Sequence, residues 1–478
     1  MRRKPASPPD VVDAIMDNTP SDSSKPSLPS RRKFLAGVGA TAATLGSLPI
    51  AASANVAGSD RLKIGLVGTG GRGSGAVIQT LKANPAAQLV AAGDAFESRL
   101  KGNGPRKAGG LDLITNRLEQ SKMGGQIDLP AERRFVGFDA YKDVIDNCDL
   151  VLLTTTPGFR PLHFETAIAA GKHVFMEKPV CTDAHGYNRV IRSAQLADEK
   201  GLKVVVGLQR HYQDVYLQAF EKVHGEGLIG DIISAQCYWN GARPWTVTRE
   251  PGWSELEYQM HNWYHFNYLC GDHISEQHVH NMDVVNWFMS GDNEKGGHPV
   301  SAQGMGGRSG WEDDKTSQIF DHHYVEYRYA DGKILNSQCR QIRGCKNRVG
   351  EEIHGTKGIL TLSTGEIKDY SGKVLWRYRA PREGVIDPFQ QEHNRLHAAI
   401  KENSTLNNAY YGADSSFTAV LGRLATYTGQ EVGWEEATKS DFNLLPDDIN
   451  WDSPAPVQPK EDGTYPSPMP GVTKLPWA

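Results

Sequence analysis

The sequence predicts two folded domains: a doubly wound α/β domain with a parallel sheet, then an α+β domain with a large open, mostly antiparallel sheet. Three observations lead there. The apolar run Leu62 to Val67 breaks into glycines spaced G-x-G-x-x-G and continues as a helical segment, Ser74 to Ala83. Strand and helix patterns then alternate as far as Gly207, as parallel strands require. From Ile232 on, alternating and aromatic-rich runs follow one another, which is the pattern of antiparallel pairing. At 478 residues the chain is long enough for two such units.

Residues 1–59 read as neither domain. Met1 to Pro29 is rich in Pro, Ser and Asp and lacks apolar periodicity, so a disordered leader is expected. Ser30-Arg31-Arg32-Lys33-Phe34-Leu35, the mildly apolar Ala36 to Ile50 and Ala52-Ser53-Ala54 have the order of a signal peptide. The paired arginines before Phe-Leu resemble a twin-arginine signal, so a periplasmic or otherwise exported protein is expected. A formal charge of −4 gives no basic footprint for nucleic acid. No apolar run is long enough to span a bilayer, so no membrane contact beyond export is expected. Six cysteines show no C-x-x-C pair. A Cys339–Cys345 disulfide and free thiols both fit that pattern.

The first domain, residues 60–182 with the strand 203–207, is organised around its glycine turn. Gly68 lets the chain reverse off the strand, Gly70 brings bare backbone toward a pyrophosphate, and Gly73 lets the helix pack on the sheet. Gly71 and Arg72 complete the cradle at the helix N-terminus, where unpaired N–H groups and the dipole favour phosphate. Asp94 ends the second strand about twenty residues beyond Gly73, the place of a ribose-binding acid in a Rossmann-type dinucleotide-binding domain. Its carboxylate favours NAD, while nearby Arg99 leaves NADP open. Leu100 to Arg134 reads as an insertion with one helix at 111–122. Alternation resumes with a helix at 141–145, a strand at 150–156, a helix at 163–170, the strand His173 to Met176, a helix at 183–199 and the last strand.

Thr155-Thr156-Pro157 with His163, then Gly171-Lys172-His173-Val-Phe-Met-Glu177-Lys178-Pro179, resembles the Gfo/Idh/MocA oxidoreductase family. The resemblance continues through Val204 to Arg210, Gly230-Asp-Ile and His280-Asn-Met-Asp283-Val-Val-Asn-Trp287, and covers residues 60 to 435. It implies that Lys178 lies beside a nicotinamide and that the Lys178–Pro179 bond is cis. It also adds Thr155, Pro157, His163 and Glu177 to the cofactor-binding set. An ammonium at a strand end can stabilise alkoxide character as hydride leaves a carbinol carbon.

The second domain, 208–449, should carry strands near 232–239, 318–329, 333–339, 348–355 and 358–364, and helices at 387–401 and 411–429. Residues 450–478, with seven prolines, should form an extended arm. The stretch Gly271 to Phe288 is richest in chemistry. Read as one helix, it puts Glu276 and His280 on one face, with His273 and Asp283 near it. The family has an acid and, four residues on, a histidine here, although its acid is more commonly Asp. The resemblance makes His280 the base that takes the hydroxyl proton and Glu276 its orienter. His273, Glu276 and His280 could alternatively hold a metal, but no zinc signature is present and none is expected. Arg160, Arg210, His273, Trp263 and Tyr264 are substrate candidates, since guanidinium groups clamp hydroxyls and flat rings suit a sugar.

The expected activity is NAD(P)-dependent oxidation of a sugar, polyol or glycoside, with no net metal requirement. Export implies a tightly bound cofactor, recycled within each cycle, because free NAD is scarce outside the cytoplasm. The alternatives are an NAD-dependent glycoside hydrolase, lyase or epimerase using transient oxidation, and a non-catalytic sugar-binding protein. The family resemblance implies a homo-oligomer, dimer or tetramer, formed through the open sheet.

Overall fold

The computed structural model describes residues 61–106, 109–291, 296–311 and 315–478. The leader and the signal-like segment at 30–54 lie outside the described residues. No described helix is long and apolar enough to cross a membrane.

Among the described residues, six parallel strands form the first sheet: β1 Lys63–Val67, β2 Gln88–Asp94, β3 Arg134–Val136, β4 Leu150–Leu153, β5 His173–Met176 and β6 Val204–Val206. Their order is β3-β2-β1-β4-β5-β6, so the order in which strands are added reverses between β1 and β4. Ligands of such sheets bind beyond the carboxyl ends at that switch point. Strands β1, β4, β5 and β6 are nearly continuously apolar because helices cover both faces. Ile64, Leu66, Leu152 and Phe175 face one buried layer, while Val67, Val151, Val174 and Val206 face the other. The inserted helix is Leu111–Gln120, and its apolar positions Leu111, Ile114 and Leu118 lie against the first of those layers.

The second sheet has nine described strands and is open. In spatial order they are Val374–Arg377, Glu366–Asp369, Gly358–Thr361, Arg348–Gly355, Ile232–Gly241, Ile334–Gln341, His322–Arg328, Ser301–Gly307 and Val432–Gly433. One neighbouring pair, 232–241 with 334–341, is parallel, and the others are antiparallel. The α+β expectation holds. Four of these strands were not foreseen, among them Ser301–Gly307, whose glycines hide its pattern. A methyl at Gly304 would fall 2.5 Å from Tyr324 O and 3.0 Å from Thr426, so this strand is small-residue because helix Ala409–Thr428 presses on it.

The segment 271–288 is not one helix. Asp272 takes a positive φ of 73°, a four-residue helix His273–Glu276 follows, and the chain restarts as Val279–Ser290. His278 at the break donates or accepts at Ser337 Oγ, 2.7 Å away, which pins it in the core and turns Gln277 toward the cleft.

The proline-rich tail docks on its own chain. Tyr465 is buried against Phe266 and donates to Glu255 Oε1 at 2.6 Å, and Trp477 Nε1 donates to Glu436 Oε1 at 2.6 Å. All six cysteines are free, with Cys339 buried and Cys345 exposed, so the Cys339–Cys345 disulfide does not form.

Candidate active site

A cleft of about 560 Å³ lies over the carboxyl ends of β1, β2, β4 and β5 and is closed on its far side by the second domain. Its floor is the glycine turn. Gly68 has φ of 91°, and a side chain there would meet the Thr154–Thr155 backbone at 2.8 Å. Gly73 carries its own restriction, since an added Cβ would come within 2.1 Å of Gly68 O and 2.6 Å of Thr154 Oγ1. Gly70 differs: nothing lies within 4 Å of its missing side chain. Open space above a helix N-terminus is what a pyrophosphate needs, so the turn fits a dinucleotide on geometry as well as on spacing.

Arg72 leans back from the cradle. Its Nε meets Glu177 Oε1 at 2.5 Å, its guanidinium lies 3.6 Å from Glu392 and stacks over Phe389 at 4.8 Å. Asp94 sits at the end of β2 as expected. Its Oδ2 accepts from the Thr69 backbone at 2.8 Å and Thr69 Oγ1 at 3.1 Å, and its Oδ1 from Phe96 N. Burial raises its carboxyl above the ordinary range, and the Thr69 and Phe96 amides oppose that shift. Phe96, Arg99, Arg106, Phe138, Trp245 and His261 enclose this end of the cleft.

Thr155, Pro157, His163 and Glu177 all line the cleft with Lys178. The His163 ring stacks on Tyr141 at 4.1 Å and its Nδ1 lies 3.2 Å from Thr155 Oγ1. Burial, aided by Arg160, lowers it to about 3, so it is neutral. The Lys178–Pro179 peptide is cis. Lys178 Nζ donates to the Glu276 main-chain carbonyl and lies 3.3 Å from Glu276 Oε1. His280 lines the same cleft, stacked 6.0 Å from Trp239. Burial first, then Lys178, Arg210 and Arg72, hold its imidazole well below the usual range. Lys178, Glu276 and His280 therefore converge from two domains onto one space.

Four expectations change. Glu276 pairs with Lys178 and makes no bond to His280: Glu276 Oε2 and His280 Nδ1 are both buried without a hydrogen-bond partner. The break at 277–278 is the reason, because the two residues no longer sit on one continuous helix. His273 does not reach the cleft; it is buried with Asp272 and His323, so the grouping of His273, Glu276 and His280 around one ion is not formed. Arg210 is not a substrate clamp, since it is ion-paired with buried Glu351. Arg160 does line the cleft, but its guanidinium donates to the carbonyls of Thr155 and Pro179, bracing the loops after β4 and β5.

Trp263 and Tyr264 line the cleft, and Gln341 Nε2 donates to Tyr264 OH at 2.7 Å. Residues that the sequence did not single out include Arg106, whose guanidinium lies 3.6 Å over the Trp245 ring and bridges the insertion to the second domain. No local signal marks that pair, because its members are far apart in the chain. Phe389 and Gln277 were equally silent.

Fold and cleft together define a two-domain dinucleotide-binding protein. Comparison with known families gives the same class and a name for it. Residues 62–208 match the model of an oxidoreductase family with an NAD-binding Rossmann fold, and residues 217–361 match the GFO/IDH/MocA C-terminal domain. The chain belongs to the Gfo/Idh/MocA oxidoreductase family, and its first domain is an NAD-binding Rossmann domain. It is similar to an inositol 2-dehydrogenase/D-chiro-inositol 3-dehydrogenase of Halalkalibacterium halodurans, 29% identical over 33% of this chain and 40% of that one. It is also similar to a scyllo-inositol 2-dehydrogenase (NADP(+)) of Bacillus subtilis, 34% identical over 28% of this chain and 34% of that one. These matches thus span less than half of either relative. Among solved structures, scyllo-inositol dehydrogenase from Lactobacillus casei with NAD(H) and scyllo-inositol shares the fold at TM-score 0.56 and 20% identity, covering 78% of this chain and 99% of that one. The aldose-aldose oxidoreductase from Caulobacter crescentus does so at TM-score 0.57 and 16% identity, over 78% and 99%.

Proposed function

We propose that this protein is an NAD(P)-dependent oxidoreductase acting on a carbinol group of a sugar, polyol or glycoside. The observation that carries the reading is the convergence of Lys178, Glu276 and His280 on one cleft whose floor is the open Gly70 turn. Gly70 to Gly73 and the N-terminus of helix Gly71–Ala83 would hold the pyrophosphate, and Asp94 the adenosine ribose. A nicotinamide dinucleotide, when bound, supplies the hydride acceptor.

The chain's own residues supply the rest. Lys178, fixed by Glu276, offers N–H bonds to the reacting oxygen and stabilises its developing negative charge. His280 is neutral because it is buried beside cations, so its imidazole has a lone pair to accept the hydroxyl proton. Arg160 holds the loops that carry Thr155 and Lys178 in register. Trp263 and Tyr264 give a flat wall and a polar tip for a sugar ring.

A second reading keeps every residue and changes the net outcome: transient oxidation that permits glycoside cleavage, elimination or epimerisation. It is favoured by the twin-arginine-like Arg31-Arg32 segment, because an exported enzyme would keep and recycle its cofactor. The open sheet, with Ile233 and Met305 exposed, supports a homo-oligomer. Replacing Lys178 with Met should leave nucleotide retention unchanged and lower turnover by about 10²–10³. Unchanged turnover would remove Lys178 from the chemistry. Nucleotide lost on simple dialysis would remove the recycled-cofactor reading.

A further inference from the structure

Behind the cleft, outside its lining, Asp272, His273 and His323 are buried together, with one donor atom from each lying within 4.8 Å of the others. Their hydrogen bonds do not close. Thr426 Oγ1 lies 3.0 Å from the carbonyls of Gly422 and Arg423, and with its proton on either of them the 2.9 Å contact with His323 is donated by His323 Nδ1. In that tautomer His323 Nε2 carries a lone pair. It lies 3.3 Å from Asp272 Oδ2, and a carboxylate has only lone pairs to offer in return. Something positive belongs between them.

A proton on His323 would answer that one contact. It would leave His273 unexplained. His273 is 0% exposed and neither of its ring nitrogens has a hydrogen-bond partner among the described residues. Its Nε2 lies 3.9 Å from Asp272 Oδ1, and its ring 4.9 Å from that of His323. His397 also has both ring nitrogens buried and unpartnered, but among the described residues only His273 has a carboxylate and a second imidazole close enough to share one ion.

We propose that Asp272, His273 and His323 bind one divalent transition-metal ion of the zinc class. Two imidazoles and a carboxylate are an ordinary ligand set for such ions. Bonds of about 2.0–2.1 Å put tetrahedral ligand atoms roughly 3.3 Å apart, the spacing Asp272 and His323 already have. His273 Nε2, 3.9 Å from Asp272 Oδ1, would have to move closer to complete the set. Thr426 then acts as the outer partner that metal-bound histidines require. The carboxylate is itself held by the Phe320 amide at 3.1 Å and by Tyr427 OH at 2.5 Å. The ion would tie helix His273–Glu276 to strand His322–Arg328 and helix Ala409–Thr428. Glu276, three residues beyond His273, is thereby held against Lys178. The site is enclosed and plays no part in hydride chemistry.

The test uses the tag-free chain purified from cells grown with added zinc, and separately with added cobalt. Elemental mass spectrometry should find about one ion per chain. The cobalt form should show the absorption of an ion ligated by nitrogen and oxygen. His323→Phe and His273→Leu should each lower the metal content roughly ten-fold or more. Zinc should raise the melting temperature of the wild type and not of the double variant. Folded wild-type protein that holds no metal under these conditions would leave a proton alone in the site and overturn the proposal. A cobalt–thiolate band would place the ion on cysteine and overturn it too, and that reading needs no variant to fold.

Discussion

Two glycines of one turn, Gly70 and Gly73, should fail in opposite ways when each is changed to alanine. At Gly73 the new methyl would sit 2.1 Å from Gly68 O and 2.6 Å from Thr154 Oγ1. Relief requires the helix N-terminus to move off β1 by more than about 1 Å, an overpacking that costs about 1–3 kcal/mol of stability. At Gly70 the backbone φ is −63° and nothing lies within 4 Å, so the folded apoprotein should change by no more than about 0.5 kcal/mol. The Gly70 methyl instead occupies the space meant for a pyrophosphate. The same roughly 1–3 kcal/mol then appears as a loss of nucleotide affinity of about 5- to 150-fold. Thermal melts of nucleotide-free protein and calorimetric titration with NADH separate the two effects. Gly70→Ala that binds NADH like wild type would refute the cradle, whatever happened to stability.

The other expectations are shorter. Arg106→Ala or Trp245→Ala removes a cation–π contact at 3.6 Å that bridges the insertion and the second domain over the cleft. It should speed nucleotide release by about five-fold, the equivalent of about 1 kcal/mol, in a stopped-flow displacement assay. Arg210→Ala strands Glu351 in the core, which should cost about 3–5 kcal/mol in denaturant melts while leaving substrate KM unchanged in whatever fraction remains folded. Acid should destabilise the protein early. His163 is held at about 3, and His173, His261 and His397 at about 4, against 6.5, in each case chiefly by burial. The unfolded chain binds those protons first, so their stability is complete above 6.5 and lost as pH falls toward 4. Asp414, raised by burial to about 6, works in the other direction, as do Asp94, Asp183, Glu351 and Glu392. His224, His273, His278, His280 and His393 are lowered by burial too, so the imidazoles outnumber these carboxyls. Melting temperatures that stay level from pH 7 down to about 5 would contradict the buried neutral imidazoles.

What the sequence made legible was local. The glycine turn, the strand His173–Met176 and the acid at the end of β2 each declare themselves within a few residues, and the structure has them in place. Lys178 and His280 were found the same way, as members of compact motifs. The failures share a cause. The break at 277–278 that divides the 271–288 segment goes with His278 bonded to Ser337, distant in the chain. Arg210 looked free because its partner Glu351 is 141 residues away. Strand Ser301–Gly307 is written in glycine because of what packs on it, and glycine reads as loop. Periodicity reports a face; it does not report what covers that face.

The reaction itself can be watched without knowing the physiological substrate. Wild type and Lys178→Met, each purified with its nucleotide, would be incubated with inositols, aldoses and anhydrosugars deuterated at their carbinol carbons, and the nucleotide examined by mass spectrometry. Deuterium should enter the nicotinamide of the wild type with at least one of these compounds, and should not enter that of Lys178→Met although it retains as much nucleotide. Equal labelling of the two proteins, or bound nucleotide that takes no deuterium from any of them, would contradict hydride transfer at Lys178.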